Sequence, residues 1–294
     1  MSASEKAPNT APSQRGFADH VIYVLSENPI TALAFALFAL IVLVAVLGPA
    51  LAPYDPMESN AARALQPPNW DHWFGTDNLG RDVFSRVLVA TRLDLMISVA
   101  AVALSFVIGA ALGSVAGYWG GWIDALTGRL VDTIMAFPLF VLAMGIVAAM
   151  GNTVENIIYA TAIINLPFYA RVARAEVRIR RDAGFAQAAR LSGNTDLQVL
   201  AFHIFPNALP PMMVQISLNM GWAILNAAGL SFIGLGVRPP TAEWGIMVAE
   251  GANFVVSGEW WLAVFPGLAL MIAVFAFNLL GDGLRDIFDP RQRT

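Results

Sequence analysis

Six stretches of this chain carry no Asp, Glu, Lys or Arg: residues 28–54, 95–123, 133–154, 156–170, 197–237 and 260–281. A helix needs about 20 predominantly apolar residues to cross the hydrocarbon core of a bilayer. Each stretch holds one, the fourth by borrowing a few residues beyond Glu155. Such a chain has few ways to fold other than as a bundle of membrane helices, because backbone N–H and C=O groups in lipid must be satisfied internally. Composition agrees: 57% of the residues are hydrophobic and 13% charged, with a mean hydropathy of +0.62, too apolar for an ordinary soluble domain. A transmembrane barrel would repeat ~10-residue alternating strands, and no such alternation recurs. The expected fold class is all-α integral membrane with six transmembrane helices.

Basic residues orient the bundle. With the N-terminus in the cytoplasm, Lys6, Arg15, Arg129, the six arginines from Arg171 to Arg190, and Arg285, Arg291 and Arg293 lie inside, 12 of the 17 basic residues. Arg63, Arg81, Arg86, Arg92 and Arg238 lie outside, a split that follows the positive-inside rule. Arg81, Arg86 and Arg92 alternate with Asp77, Asp82 and Asp94, which reads as paired surface charge on a short helix ahead of the second span. Residues 1–28 are then a cytoplasmic tail, loosely ordered up to about Arg15, and 29–294 a transmembrane domain. Its first span covers about 30–52, an external loop 53–94 and the core spans 95–281, with a cytoplasmic loop at 171–207 and a cytoplasmic tail at 282–294. No signal peptide is expected: the first apolar run exceeds the ~7–15 residues of a signal core, and Ala-Leu-Ala at 50–52 is followed by Pro53.

The chain carries little chemistry of its own. Lys6 is the only lysine, so a phosphate-binding loop ending in Gly-Lys-Ser/Thr cannot form, and ATP hydrolysis is not expected of this chain alone. His20, His72 and His203 sit in three separate segments without metal-ligand spacing. There is no cysteine, hence no disulfide, thiolate site or cysteine nucleophile, and no Gly-x-Ser-x-Gly. Neither catalytic residue, metal nor cofactor is expected in this chain, and the arginines of the loop serve topology rather than nucleic acid. A secondary transporter acting alone would place ionisable residues inside its spans for ion coupling, and the charge-free windows hold none.

One polar island interrupts this pattern: residues 171–207, RVARAEVRIRRDAGFAQAARLSGNTDLQVLAFHIFPN. A multispanning protein has little use for such a loop unless something docks there. The stretch reads as two short helices broken at 192–195, with Gly193 in the break. Small residues at Ala186, Ala188 and Ala189 let another surface approach closely, while the break re-aims the second helix. Helical physics alone leaves an ordinary amphipathic hairpin as an equal reading.

The segment FAQAARLSGNTDLQVLAFHIFPN resembles the EAA loop of permease subunits in binding-protein-dependent ABC importers, in which Glu-Ala-Ala, a glycine four residues on and a terminal proline form the coupling helices. Here Gln187, Ala188, Ala189, Gly193 and Pro206 match those positions, and the run from His203 to Asn207 is similar to the peptide-transporter ending. Gln187 stands where the family carries glutamate, which removes a charge from the coupling surface. Four further segments look like the C-type permease of dipeptide and oligopeptide importers: HWFGTDNLGRDVFSRVL (72–88), GYWGGWIDALTGRLVDTIMAFP (117–138), AGLSFIGLGVRPPTAEWGIMVAEG (228–251) and FNLLGDGLRDIFDPR (277–291). Five segments in the right order, covering the chain from about Ile30 to its end, are a specific match. The resemblance implies a type I importer permease fold, a second homologous permease as heterodimer partner, and an extracytoplasmic substrate-binding protein. It also implies two cytoplasmic ATPase subunits, which hold the ATP and magnesium. The implied role is ATP-driven import of di- or oligopeptides at a bacterial inner membrane, with nickel chelate, glutathione or a sugar conjugate as alternative cargo.

Two features lie inside the spans. Ala101, Ser105, Gly109, Gly113 and Gly117 recur every four residues through the second span, a smooth face for close helix approach, either within this chain or against the partner permease. Gln215, Asn219 and Asn226 share a face of the fifth span. Amides are costly in lipid and point to protein or water, so these either hydrogen-bond a neighbouring helix or line the translocation path. Met212, Met213 and Met220 suit packing or an adaptable wall. Arg238, Pro239, Pro240 and Trp244 fall outside, where the resemblance implies contact with the binding protein or partner permease. Asp282, Arg285 and Asp286 follow the last span as local bracing.

Overall fold

A computed structural model describes residues 23–288; the expectations for Lys6, Arg15, His20, Arg291 and Arg293 lie outside that range. The described residues are all-helical, with one isolated bridge between Thr76 and Asp82 and no strand. The first span, α1 (Pro29–Leu51), begins where the Asn28 side-chain oxygen accepts from the N–H groups of Ile30 and Thr31, satisfying donors that a helix start leaves orphaned. It is the most apolar of the spans, with a mean hydropathy of 3.0. Only a narrow stripe of Thr31, Ala34, Ile41, Ala45 and Gly48 is buried, so the rest of its surface suits lipid.

Helix α2 (Val83–Trp119) runs for 37 residues, about 55 Å at about 1.5 Å per residue. It carries Arg86, Arg92 and Asp94 as well as the second span, with Asp82 as its N-cap and Asp77 and Arg81 in the segment before it, so no separate short helix precedes that span. The charges are not at the surface either: Arg81, Asp82, Arg86 and Asp94 are at most 3% exposed, and only Arg92 of the cluster is exposed. Alternating signs looked like a solvated face, but segments distant in sequence fold over this end and pair with it.

The third charge-free window is not one straight helix. It divides between α3 (Gly121–Met135) and α4 (Leu139–Met150), which meet at 87°. Pro138 between them is the cause, because a proline drives the residue before it out of helical geometry. There follow α5 (Val154–Arg180), α6 (Gly184–Leu191), α7 (Asp196–Phe232), α8 (Trp244–Ala252) and α9 (Trp261–Phe288).

By length and apolarity 4 helices among the described residues can cross a membrane, namely α1, α2, α7 and α9, and up to 5 if the bent pair is one span. Helix α5 has the length, 27 residues. Its Glu155, Asn156, Asn165 and Arg171 dilute its apolarity, and it lies inside the bundle, between α2 and α7. The glycine stripe explains how closely it packs. A Cβ at Gly109, Gly113 or Gly117 would come under 3.0 Å from the backbone of Leu166, Ala170 or Arg174, so the α2 and α5 backbones are in contact. Ala101 and Ser105 continue the same buried face. Helix α9 closes the bundle against α7, α1 and α8, and Asp286 near its end accepts from Asn28 Nδ2 at 3.1 Å and Thr31 Oγ1 at 3.4 Å.

Candidate functional site

The polar island folds into a compact loop held against the bundle. Over its eight residues α6 is amphipathic: Ala186 and Ala189 are buried, while Gln187, Ala188 and Leu191 are exposed. Gly193 then adopts φ +86°, a left-handed conformation that side chains resist, and its N–H closes the helix by donating to the Arg190 carbonyl at 3.0 Å. Thr195 and Gln198 form a reciprocal capping box that starts α7. The first turns of α7, Val199–Ile204, are wound as a π-helix. Pro206 accounts for this, since it offers no N–H to the Phe202 carbonyl and its ring crowds that turn. The Phe205 N–H instead reaches the Leu200 carbonyl, five residues back. His203 lies in this segment, half-buried, its carbonyl accepting from Asn207 Nδ2 at 2.7 Å.

The Gln187 amide donates to the Asp182 carbonyl at 2.9 Å, which an ionised glutamate could not do. The loop also bares apolar side chains: Leu191 is 90% exposed, and Phe185, Leu197 and Phe202 are exposed beside it. Tyr118, at the end of α2, braces the whole. Its hydroxyl donates to Asp196 at 2.6 Å and accepts from Arg190 at 3.3 Å, and its carbonyl accepts from Arg181 at 3.1 Å. The Tyr118 hydrogen bond, with Asp196 nearby, holds the Arg190 guanidinium above its usual value. Sequence reasoning missed Tyr118; its only signal was an aromatic residue beside the Gly120-Gly121 helix break.

The α7 amides divide. Gln215 Nε2 donates to Asn219 Oδ1 at 3.0 Å, and Asn226 donates to the Trp222 carbonyl of its own helix. These bonds stay within α7. Asn219 is buried with Nδ2 unpartnered, beside the equally unpartnered Tyr169 hydroxyl of α5, while Gln215 and Asn226 are partly exposed. The structure brings Gln215 and Asn219 together and sets Asn226 two turns away. Met212 and Met220 are buried and Met213 is exposed.

At the other end of α2 the buried charges are joined to 53–82 and to α8. Arg81 pairs with Asp77 at 2.6 Å, and Glu250 of α8 lies 3.7 Å from Arg81 and 3.9 Å from Arg86. Arg86 also donates to the carbonyls of Pro56 at 3.1 Å and Pro240 at 3.3 Å. Asp82 takes His72 Nδ1 at 2.8 Å. Asp94 accepts from the Trp244 N–H at 3.1 Å and faces Glu243, which caps α8 by accepting from Gly245 and Ile246. Burial pushes the Glu243 carboxyl above its usual range, outweighing the hydrogen bonds that lower it. Charges persist in such a place only when paired. Among the described residues no cluster of three or more His, Cys, Asp or Glu could hold a metal.

A helical bundle with several apolar helices long enough to cross a bilayer, and an amphipathic loop braced to α2, defines a multi-pass membrane protein. Comparison with known proteins narrows that class. Residues 109–294 match the family described as binding-protein-dependent transport system inner membrane component, and 17–68 match the N-terminal TM domain of oligopeptide transport permease C. Over 271 residues the chain is 41% identical to the probable D,D-dipeptide transport system permease protein DdpC of Escherichia coli (strain K12), covering 92% of this chain and 91% of that one. It is 39% identical to the dipeptide transport system permease protein DppC of Alkalihalophilus pseudofirmus, covering 92% and 88%. It is 43% identical to the glutathione transport system permease protein GsiD of Escherichia coli O1:K1 / APEC, covering 88% and 86%. The chain belongs to the binding-protein-dependent transport system inner membrane component family. It is a multi-pass inner-membrane permease, not an enzyme.

Proposed function

We propose that this chain is one of two permeases in an ATP-driven importer of di- or oligopeptides, forming with its homologous partner the path for cargo delivered by a substrate-binding protein. The names of its relatives support the cargo: two are dipeptide permeases, and the glutathione permease keeps glutathione as the second reading. The observation that carries the coupling is the apolar edge of an otherwise polar loop, Leu191, Leu197 and Phe202, held to α2 through Tyr118. Exposed apolar patches of this kind mark interaction sites. Two ATPase subunits, which hold the ATP and magnesium, dock on this loop, with Gln187, Ala188, Ala189, Gly193, His203 and Pro206 forming the coupling surface. Gln215, Asn219 and Asn226 line the path.

The span count in this reading is six: α1, α2, the bent α3–α4, α5, α7 and α9. Both chain ends and the loop at 171–207 are cytoplasmic; 53–82 and 233–260 lie outside, and residues 29–294 form one permease domain. Purification in mild detergent should recover a second permease and an ATPase with this chain, and the pair Leu191→Asp and Phe202→Asp should release the ATPase. Recovery of the chain alone, with peptide uptake intact, overturns the reading.

A further inference from the structure

A cleft of about 210 Å³ opens at the Leu51 end of α1, walled by Tyr54, Trp70, Trp73 and Phe84, with Asp71 at its edge. Trp70 is 96% exposed and Trp73 58%, yet the frame that holds them is fixed. The Tyr54 hydroxyl donates to the Asp71 carbonyl at 2.9 Å, the Tyr54 ring lies 4.7 Å from His72, and Trp73 lies 4.9 Å from Phe84. The Asn69 side chain accepts from the N–H groups of Asp71 and His72, both at 2.9 Å. Asp82, which also borders the cleft, is taken up by His72 and Ser85. The Asp71 carboxylate has no hydrogen-bond or ion-pair partner among the described residues.

Aromatic faces with a free carboxylate suit an organic cation. The position of the cleft says which one. Leu43, Val46, Leu47 and Leu51 point outward from the last turns of α1, so the cleft begins where a lipid-facing surface ends, at the depth where exposed indoles sit in membrane proteins. We propose that this cleft binds the ammonium of an amine-bearing phospholipid headgroup, with ethanolamine as the best fit. An ethanolamine group fills roughly the volume of three waters, about 90 Å³ at about 30 Å³ each, and leaves room for the neighbouring phosphate at the mouth. The inference rests on the reading of this chain as a membrane-spanning permease with the Leu51 end of α1 outside.

The test is native mass spectrometry of the full chain with its co-purifying partners, delipidated and titrated with phosphatidylethanolamine and phosphatidylglycerol of identical acyl chains. The protein should retain the ethanolamine lipid roughly 3- to 10-fold better. Asp71→Asn and Trp70→Leu should each bring that ratio close to 1. Trp122→Leu, which removes another exposed indole from α3, should leave it unchanged. Equal retention of the two lipids, or a preference that survives Asp71→Asn, overturns the inference. Displacement of the lipid by a free dipeptide also overturns it, since the cleft would then be a cargo contact. Retention is read without ATP turnover or uptake, so co-eluting ATPase with no headgroup preference sinks this inference alone, whereas headgroup preference in a chain that elutes alone sinks only the importer reading.

Discussion

Gly193 sits at φ +86° with nothing within 4 Å of where a Cβ would stand. A β-branched residue there costs about 1–3 kcal/mol of backbone strain, and the damage is conformational rather than steric. Gly193→Val should therefore insert and accumulate normally while uptake collapses, and Gly193→Asn, which tolerates the left-handed region, should keep most of it. Unchanged uptake by the valine variant, with normal ATPase co-purification, would show that this turn transmits nothing. The buried carboxyls obey a different logic. Glu243 accepts from two N–H groups, whereas Asp94 accepts from one and turns its other oxygen toward Glu243. Asp94→Asn keeps both of its contacts. Glu243→Gln sets an amide N–H against a backbone N–H, a loss of about 1–3 kcal/mol that should lower the unfolding temperature in detergent by several degrees. Burial raises the Glu243 carboxyl beside Asp94, so the facing pair holds a proton in the fold; that stability is full below the ordinary carboxyl range and declines as pH rises through the raised value. Glu243→Gln should flatten this decline.

The contact between α2 and α5 is where single atoms become helix positions. A valine at Gly113 would overlap the Ala170 backbone, so Gly113→Val should force the helices apart, at about 1–3 kcal/mol. Thermal unfolding should drop accordingly. Gly145→Val in α4, where a Cβ meets nothing within 4 Å, is the control, and an equal drop in both variants would mean that the helices do not meet at Gly113. The elements also differ in how far the sequence announced them. Helix α1 was visible as a charge-free run because it faces outward along most of its length, and α9 because the face it packs against the bundle is apolar as well. The break between α3 and α4 was marked only by Pro138, since a run of apolar residues carries no information about direction. Helix α5 hid its length because a helix walled by protein tolerates Thr161 and Asn165, both buried. In the loop, Gly193 and Pro206 left local signatures of a turn and a helix restart. Tyr118 left none of its role, because its partner Asp196 is 78 residues away. Arg81 and Arg86 misled because alternation with aspartate reads alike whether the pairs stand in water or under a cover.

For the whole molecule, side and selectivity can be read separately. The chain has no cysteine, so Ser192→Cys and Trp70→Cys report their side of the membrane cleanly. An impermeant thiol reagent added to intact cells should modify the cysteine at 70 and spare the one at 192; the reverse pattern would invert the topology. If Gln215 and Asn219 line the path as proposed, they offer amides without a fixed charge, and selection of cargo is expected in the separate binding protein. Asn219→Leu should then change uptake rates more than the ranking of a competing peptide panel, and a reordered panel would put selection in this chain. Internal prolines interrupt α1, α5, α7 and α9 but not α2, which holds Tyr118 and the loop at one end and the Arg86 and Asp94 pairings at the other. An unbroken rod of about 55 Å turns a tilt of about 6° into a swing of about 6 Å at its far tip, so a small rotation imposed at the loop would be geared up into a displacement large enough to part or close the segments gathered around the opposite end.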